Sequence, residues 1–154
     1  MSNISESIDV DVPVRTAYDQ WTQFETFPQF MEGVVSIDQI TDTTNRWKVE
    51  VGGATREFTT EIVQQEPDMR IAWTTVAGET GHAGVVTFHR LSDTSCRVLL
   101  DMDIEPEGFV EQIGDKLGFV SRRVKGDMKS FKEFIEGRGD ETGAWRGTVE
   151  QEDA

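Results

Sequence analysis

A glycine-rich stretch around a histidine is the part of this sequence that most resembles a reactive loop. Residues 78–84 read GETGHAG, with His82 between Gly81 and Gly84. Glycine-rich loops bind phosphate when a helix N-terminus follows, because its free N–H groups and its dipole attract the anion. Here the residues that follow, VVTFHR, alternate as a strand does. We therefore predict a hairpin connection whose glycines adopt positive φ.

The chain has two histidines, which are the first candidates for acid–base chemistry. We interpret His82 as an exposed loop side chain, in preference to an acid or base at the mouth of a cavity. His89 shares a strand face with Val85 and Thr87, and we favour a structural role for it. Catalytic roles for His82 and His89 remain the weaker alternatives.

Other reactive patterns do not occur in the sequence. There is no His-x-His or His-Glu-x-x-His motif, and Cys96 is the single cysteine, so we expect no metal site and no internal disulfide. A Gly-x-Ser-x-Gly nucleophile motif is also missing. We expect Cys96 to be an inert thiol and the protein to need no bound cofactor.

The composition is strongly acidic, with 29 Asp and Glu against 15 Lys and Arg and a formal net charge of −14. Such a field repels nucleic acid and anionic lipid surfaces, so neither is an expected partner. The sequence has no run of about 18 apolar residues, and its first residues lack the basic start and apolar core of a secretory signal. We expect a cytoplasmic protein without stable membrane association. Its oligomeric state is not predicted.

The elements that must position any site follow from hydrophobic periodicity. Residues 4–12 alternate as a half-buried strand, and Pro13 then opens the first of two short helical segments. Six further strands with period two follow between 34 and 104, separated by polar turns. An apolar stripe at steps of three and four predicts a long helix over 109–136.

A sheet with one apolar face and an amphipathic helix must bury these surfaces against each other. A strongly curved sheet wrapped round a helix leaves a hollow, which the two short helices can cover. We therefore predict one domain over residues 1–139. Residues 140–154 form an acidic tail, which we expect to be flexible, with Trp145 able to dock on the body.

This order of elements resembles the START-like superfamily, which includes polyketide cyclases/dehydrases, coenzyme-Q-binding proteins and lipid carriers. The residues that carry the resemblance are IDVDVPVRTAYDQWTQFETFPQFM (8–31), GGATREFTTEIVQQEPDMRIAWTT (52–75), GVVTFHRL (84–91) and the 109–136 helix. The resemblance implies an α+β helix-grip fold. In that fold a curved antiparallel seven-stranded sheet, in the order β-α-α-β6-α, wraps round a long C-terminal helix.

The inward faces of these elements supply a largely aromatic wall, which suits an apolar ligand pocket as well as a plain core. We predict ligand contacts from Trp21, Phe24, Phe27, Phe30, Trp47, Phe58, Thr60, Trp73, Thr75, Phe88, Met102 and Phe131. Thr60 and Thr75 would be the polar anchors. Arg56 and Arg122 or Arg123 could meet an anionic headgroup, although we favour a surface ion pair for each of these arginines.

Three functions follow from this reading. The favoured one is a module that binds a hydrophobic small molecule, polyketide-, quinone- or lipid-like, between the sheet and the C-terminal helix. The second is an enzyme, a polyketide aromatase/cyclase or dehydratase, which needs an acid–base group inside the cavity. The third is a stress-related interaction protein that uses the acidic tail.

Overall fold

A computed structural model describes residues 2–51, 53–78, 82–104 and 116–150. Within these ranges the chain forms one antiparallel sheet in the order β1-β7-β6-β5-β4-β3-β2. The strands are β1 (Ser2–Val10), β2 (Val34–Gln39), β3 (Thr44–Val51), β4 (Ala54–Glu66), β5 (Arg70–Gly78), β6 (His82–Ser92) and β7 (Ser95–Ile104). The helices are α1 (Val14–Trp21), a 3₁₀ helix (Phe24–Gln29) and α2 (Lys116–Arg138). The predicted α+β order is confirmed.

The alternation along each strand turns one face of the sheet towards α2. In β4 the side chains of Phe58, Thr60 and Ile62 are buried, as are Val86 and Phe88 in β6. The pairing of β4 with β5 shifts register between Thr59 and Thr60 and again between Ile62 and Gln64. Such bulges increase local twist and bend the strand, which curves the sheet around the helix.

Helix α2 closes the concave side of the sheet. Its buried residues Val120, Val124, Met128, Phe131 and Ile135 follow the predicted stripe. The helix ends where Gly139, at φ +75°, donates its N–H to the carbonyl of Ile135 at 2.9 Å. The predicted start at 109 falls in residues 105–115, which lie outside the described ranges.

Aromatic side chains from α1 and the 3₁₀ helix cover one end of the sheet. The ring of Phe27 lies 5.6 Å from that of Trp21 and 6.0 Å from that of Trp47. Trp21 in turn meets Phe131 of α2 edge to face at 5.0 Å. These contacts join the short helices, the sheet and α2 into one core.

The GETGHAG stretch joins β5 to β6, which pair as antiparallel neighbours, in agreement with the predicted hairpin. Of its described glycines only Gly78 has positive φ, because Gly84 lies within β6. Gly78 ends β5 at φ +129°, and a Cβ there would come within 2.5 Å of the Cα of Phe58. Glycine is therefore required at this position for two independent reasons. Residues 79–81 lie outside the described ranges.

Residues 140–150 of the C-terminal segment pack against the body of the domain. The backbone N–H of Trp145 donates to Thr22 Oγ1 at 3.1 Å, and Val149 pairs with Gln65 of β4. Arg146 bridges the carboxylates of Asp19 and Asp68, at 2.5 and 2.8 Å. Asp19 is 1% exposed, and such a buried carboxylate needs a cationic partner, which the tail supplies.

Candidate functional site: the cavity between sheet and helix

A cavity of about 140 Å³ lies between the concave face of the sheet and α2. Its wall is mostly apolar and aromatic, with contributions from β2 to β7, α2 and the short helices. Polar side chains that reach it are Asn45, Thr60, His82, Arg123 and Asp127. This composition, an apolar wall with a few polar groups, is typical of small-molecule sites.

Most of the residues predicted to contact a ligand line this cavity: Trp21, Phe24, Phe27, Trp47, Phe58, Thr60, Trp73 and Met102. The others lie elsewhere. Phe30 and Phe131 pack on each other with ring centres 5.3 Å apart, and Phe88 packs against Tyr18 at 5.3 Å. These three rings fill the core behind the cavity wall.

Thr75 is not a cavity anchor either. Its hydroxyl donates to the carbonyl oxygen of His82 at 2.7 Å and accepts from the N–H of the same residue at 2.9 Å. It thus replaces a main-chain pairing between β5 and β6 at the point where the strands diverge. Thr75 positions His82 and does not reach the cavity itself.

His82 is buried in the cavity wall, so its interpretation as an exposed loop side chain is wrong. It is 7% exposed and is the first residue of β6. Its ring lies 4.9 Å from that of Phe58, nearly perpendicular to it. Strand β6 begins at His82, three residues before the apolar run that starts at Val85. Because alternate residues of a strand point to the same face, His82 lies on the inward face with Val86 and Phe88.

The protonation of His82 is set by burial and by one hydrogen bond. Burial lowers the pKa of the imidazole to about 4, so the ring is neutral at pH 7. Trp73 Nε1 donates to Nδ1 of the ring at 2.9 Å, which makes Nδ1 an acceptor. The single ring proton is therefore on Nε2.

A second indole of the wall, that of Trp47, is held in the same way, and its ring centre lies 6.0 Å from that of His82. Trp47 Nε1 donates to Thr60 Oγ1 at 2.8 Å, and both side chains are buried. Thr60 is the cross-strand partner of Asn45, which is 1% exposed. Asn45 Oδ1 has no hydrogen-bond partner among the described residues.

Charged residues line the cavity where α2 approaches the segment before β2. Arg123 forms an ion pair with Glu32 at 3.1 Å, and the N–H of Glu32 donates to Asp127 Oδ1 at 3.3 Å. Burial raises the pKa of the Asp127 carboxyl to about 6. Arg123 and Asp127 also line a shallower outer groove with Arg122, so we identify this region as the mouth of the cavity.

The remaining sequence candidates for chemistry lie outside the cavity. His89 is exposed on the convex face, where its Nε2 lies 3.1 Å from Thr87 Oγ1. Cys96 is buried, and burial raises the pKa of its thiol to about 11, in agreement with the expected inert cysteine. Among the described residues, no three His, Cys, Asp or Glu side chains come together as metal ligands would.

Asn45 and Asp127 are cavity residues that the sequence reading missed, although both carry a periodic signal. Asn45 precedes Trp47 and Val49 by two and four positions, which puts it on their inward face. Asp127 lies seven residues after Val120 and three after Val124, within the apolar stripe of α2. A polar residue at a core-facing position, whether in the period of two of a strand or the period of 3.6 of a helix, indicates a candidate ligand-binding site.

A curved antiparallel sheet that grips one long helix, with an apolar cavity between them, defines the START-like class of helix-grip proteins. Residues 10–133 match the family model described as polyketide cyclase / dehydrase and lipid transport. The chain belongs to this family. In the described part of the chain, no helix is both long and apolar enough to cross a bilayer.

Individual proteins support this assignment. An uncharacterized 17.2 kDa protein of the melC2-rnhH intergenic region of Streptomyces lincolnensis is 60% identical over 149 residues, which is 97% of this chain and 99% of that protein. A START superfamily protein from Mycobacterium smegmatis matches 88% of this chain and 95% of its own, with TM-score 0.69 and 17% identity. The match to the Zhui aromatase/cyclase from Streptomyces sp. R1128 covers 94% of this chain and 99% of that protein, with TM-score 0.74 and 14% identity. The two structural likenesses establish the fold.

Proposed function

We propose that this protein binds a hydrophobic small molecule, polyketide-, quinone- or lipid-like, in the cavity between the sheet and α2. The observation that carries the proposal is the mostly apolar and aromatic wall around about 140 Å³ of space. Burial of apolar ligand surface supplies the binding free energy, roughly 25 cal/mol per Å² before ordering costs. The likeness to an aromatase/cyclase supports a ligand of this type.

The size of the cavity sets what binds without rearrangement. An engineered protein cavity of about 150 Å³ accommodates benzene, so this cavity accommodates about one aromatic ring. A longer ligand must extend through the mouth, past Glu32 and Arg123. The Glu32 side chain is 84% exposed, and an ion pair with so exposed a partner contributes at most about 1 kcal/mol. Opening the mouth therefore costs little.

The test is a thermal-shift screen of polyketide-, quinone- and lipid-like compounds, with native mass spectrometry to count bound molecules. Val49→Phe fills the cavity from β3, where Val49 is 6% exposed and lines the wall. Val35→Phe makes the same change on β2 at a side chain that is 47% exposed. A ligand at 100 times its Kd stabilises the folded state by about 2.7 kcal/mol.

We expect wild type and Val35→Phe to gain this stabilisation and Val49→Phe to lose it. If no compound raises Tm, the binding proposal fails. If Val49→Phe responds as wild type does, the ligand binds somewhere other than this cavity.

A second candidate is cyclisation or dehydration of a polyketide-like chain, favoured because His82 and Asp127 both line the cavity. A neutral imidazole with its proton on Nε2 can donate to a ketone oxygen and stabilise the enolate that forms beside it. Asp127, with its pKa near 6, is suited to accept the C–H proton near neutral pH. The cavity would fold the chain so that the enolate carbon attacks a second ketone carbon; the C=O π bond of that ketone breaks, its oxygen takes the proton from Asp127, and the resulting hydroxyl leaves as water on dehydration.

The enzyme proposal is tested with a poly-β-ketone thioester, by following the appearance of cyclised product. We expect His82→Asn and Asp127→Asn to lower the rate by about 100-fold or more while the affinity for the unreactive reduced chain stays unchanged. A wild-type rate no higher than that in buffer, with tight binding retained, leaves the protein a binding module.

A further inference from the structure

The buried amide of Asn45 is the feature of the cavity that packing alone does not explain. Asn45 is 1% exposed and lines the cavity, and its Oδ1 has no hydrogen-bond partner among the described residues. Buried acceptors are paired in nearly all native structures, and an unpaired one is destabilising. An apolar side chain would complete the same wall without that cost. We therefore interpret the Asn45 amide as a group that binds a ligand, because without a ligand it only destabilises the fold.

The two indole N–H groups in the cavity wall already donate hydrogen bonds to other residues. The N–H of Trp47 is donated to Thr60, at 2.8 Å, and the N–H of Trp73 to His82, at 2.9 Å. Both indoles line the cavity, and neither bonds to Asn45. Their N–H groups are held by partners in the protein, so neither indole supplies a donor to Asn45 Oδ1, and a molecule in the cavity that Asn45 lines can supply one.

We propose that the ligand carries a neutral hydrogen-bond donor, a hydroxyl or a ring N–H on an aromatic ring, and donates it to Asn45 Oδ1. This proposal rests on the proposed binding function and names the ligand class. The ring is favoured by the size of the cavity and by its aromatic wall, since Trp47 and Phe58 stack with centres 5.8 Å apart. A neutral donor is favoured over an anion, because an amide oxygen repels a phenolate and the protein has a net charge of −14.

Phenol and benzene are the probes, because they differ only by the hydroxyl group. The measured quantity is the ratio of the benzene Kd to the phenol Kd, obtained by NMR titration of the folded protein. Asn45→Leu removes the acceptor and preserves the approximate volume. Gln65→Leu is the matched control: Gln65 is also 1% exposed in a neighbouring strand, and its Oε1 is also unpaired among the described residues, but it does not line the cavity.

We expect the ratio to fall by about tenfold in Asn45→Leu, where the phenol hydroxyl is buried without an acceptor. The Gln65→Leu protein keeps the wild-type ratio. An equal ratio in wild type and Asn45→Leu overturns the donor proposal and leaves hydrophobic binding intact. If neither probe binds wild type at millimolar concentration, the donor proposal fails, and the thermal-shift screen decides separately whether the binding function stands.

A measurement on wild type covers the case in which Asn45→Leu does not fold. The side-chain carbonyl of Asn45, labelled with ¹³C, reports directly on hydrogen bonding to Oδ1. Phenol at saturation should shift this resonance downfield, and benzene at saturation should not. If the two probes shift it equally, or if neither shifts it while both bind, the proposal is wrong.

Discussion

Replacement of His82 by asparagine should change how stability depends on pH. The asparagine does not titrate, and its amide oxygen can take the place of Nδ1 as the acceptor for Trp73 Nε1. In wild type, burial keeps the imidazole neutral well below its ordinary pKa of 6.5. The unfolded chain protonates as the pH falls through 6.5, whereas the folded protein does not until about pH 4.

The sign and size follow from proton linkage. Between pH 6.5 and 4 the unfolded state binds more protons, so the free energy of unfolding decreases as the pH falls. The fall of the His82 pKa from 6.5 to about 4, at about 1.36 kcal/mol per unit of pKa, corresponds to about 3 kcal/mol. Asp127 acts in the opposite direction, because its pKa is raised to about 6 and protonation favours its folded form. Both proteins contain Asp127, so its effect cancels in the difference between them.

The assay is urea unfolding at a series of pH values from 7.5 to 4, followed by tryptophan fluorescence. The stability of wild type minus that of His82→Asn should be constant above pH 7 and should decrease by about 3 kcal/mol on going to pH 4. In wild type, the Cε1–H resonance of His82 should not move between pH 7.5 and 5, with His89→Gln used to assign the two histidines. A stability difference that is the same at every pH, or a His82 resonance that titrates near 6.5, would refute a buried neutral imidazole.

Three further substitutions test the framework around the cavity, each by urea unfolding. Phe131→Ala, at a ring that is 0% exposed, should cost about 3–5 kcal/mol, whereas Val35→Ala on the surface should cost less than about 0.5 kcal/mol; similar costs would contradict the core assignment. Arg146→Gln leaves Asp19 buried without its closest cation and should cost about 1–3 kcal/mol, while no cost would mean that the tail does not dock. Gly78→Ala should cost more than about 1 kcal/mol, because φ is +129° and the added Cβ meets β4; a neutral result would mean that the hairpin has another geometry.

The fold could be predicted from the sequence because its signals are local. Alternation in β4 and β6 and the stripe from Val120 to Ile135 each define a buried face without knowledge of the partner surface. A sheet and a helix that each have an apolar face can bury both faces only by packing against each other. The family resemblance in residues 8–31 and 52–75 then indicated how the sheet curves.

The site was only partly predictable, because cavity lining depends on packing that the periodicity does not contain. Phe88 and Phe58 are both inward residues, yet Phe88 is covered by Tyr18 and Trp21 of α1, whereas Phe58 faces the cavity. His82 was misread because its glycine neighbours suggested a loop, although the strand extends back to it. The docking of Arg146 on Asp19 joins residues far apart in the chain, and no local pattern indicates it.

The central claim is that a hydrophobic molecule binds between the sheet and α2, and a crystal structure of the protein equilibrated with bromobenzene tests it most directly. The anomalous signal of bromine locates the ligand without reference to any assumed position. The account predicts a bromine peak inside the cavity, in contact with side chains such as Trp47 and Met128. A cavity without a peak, or bromine found only on the protein surface, would contradict the account.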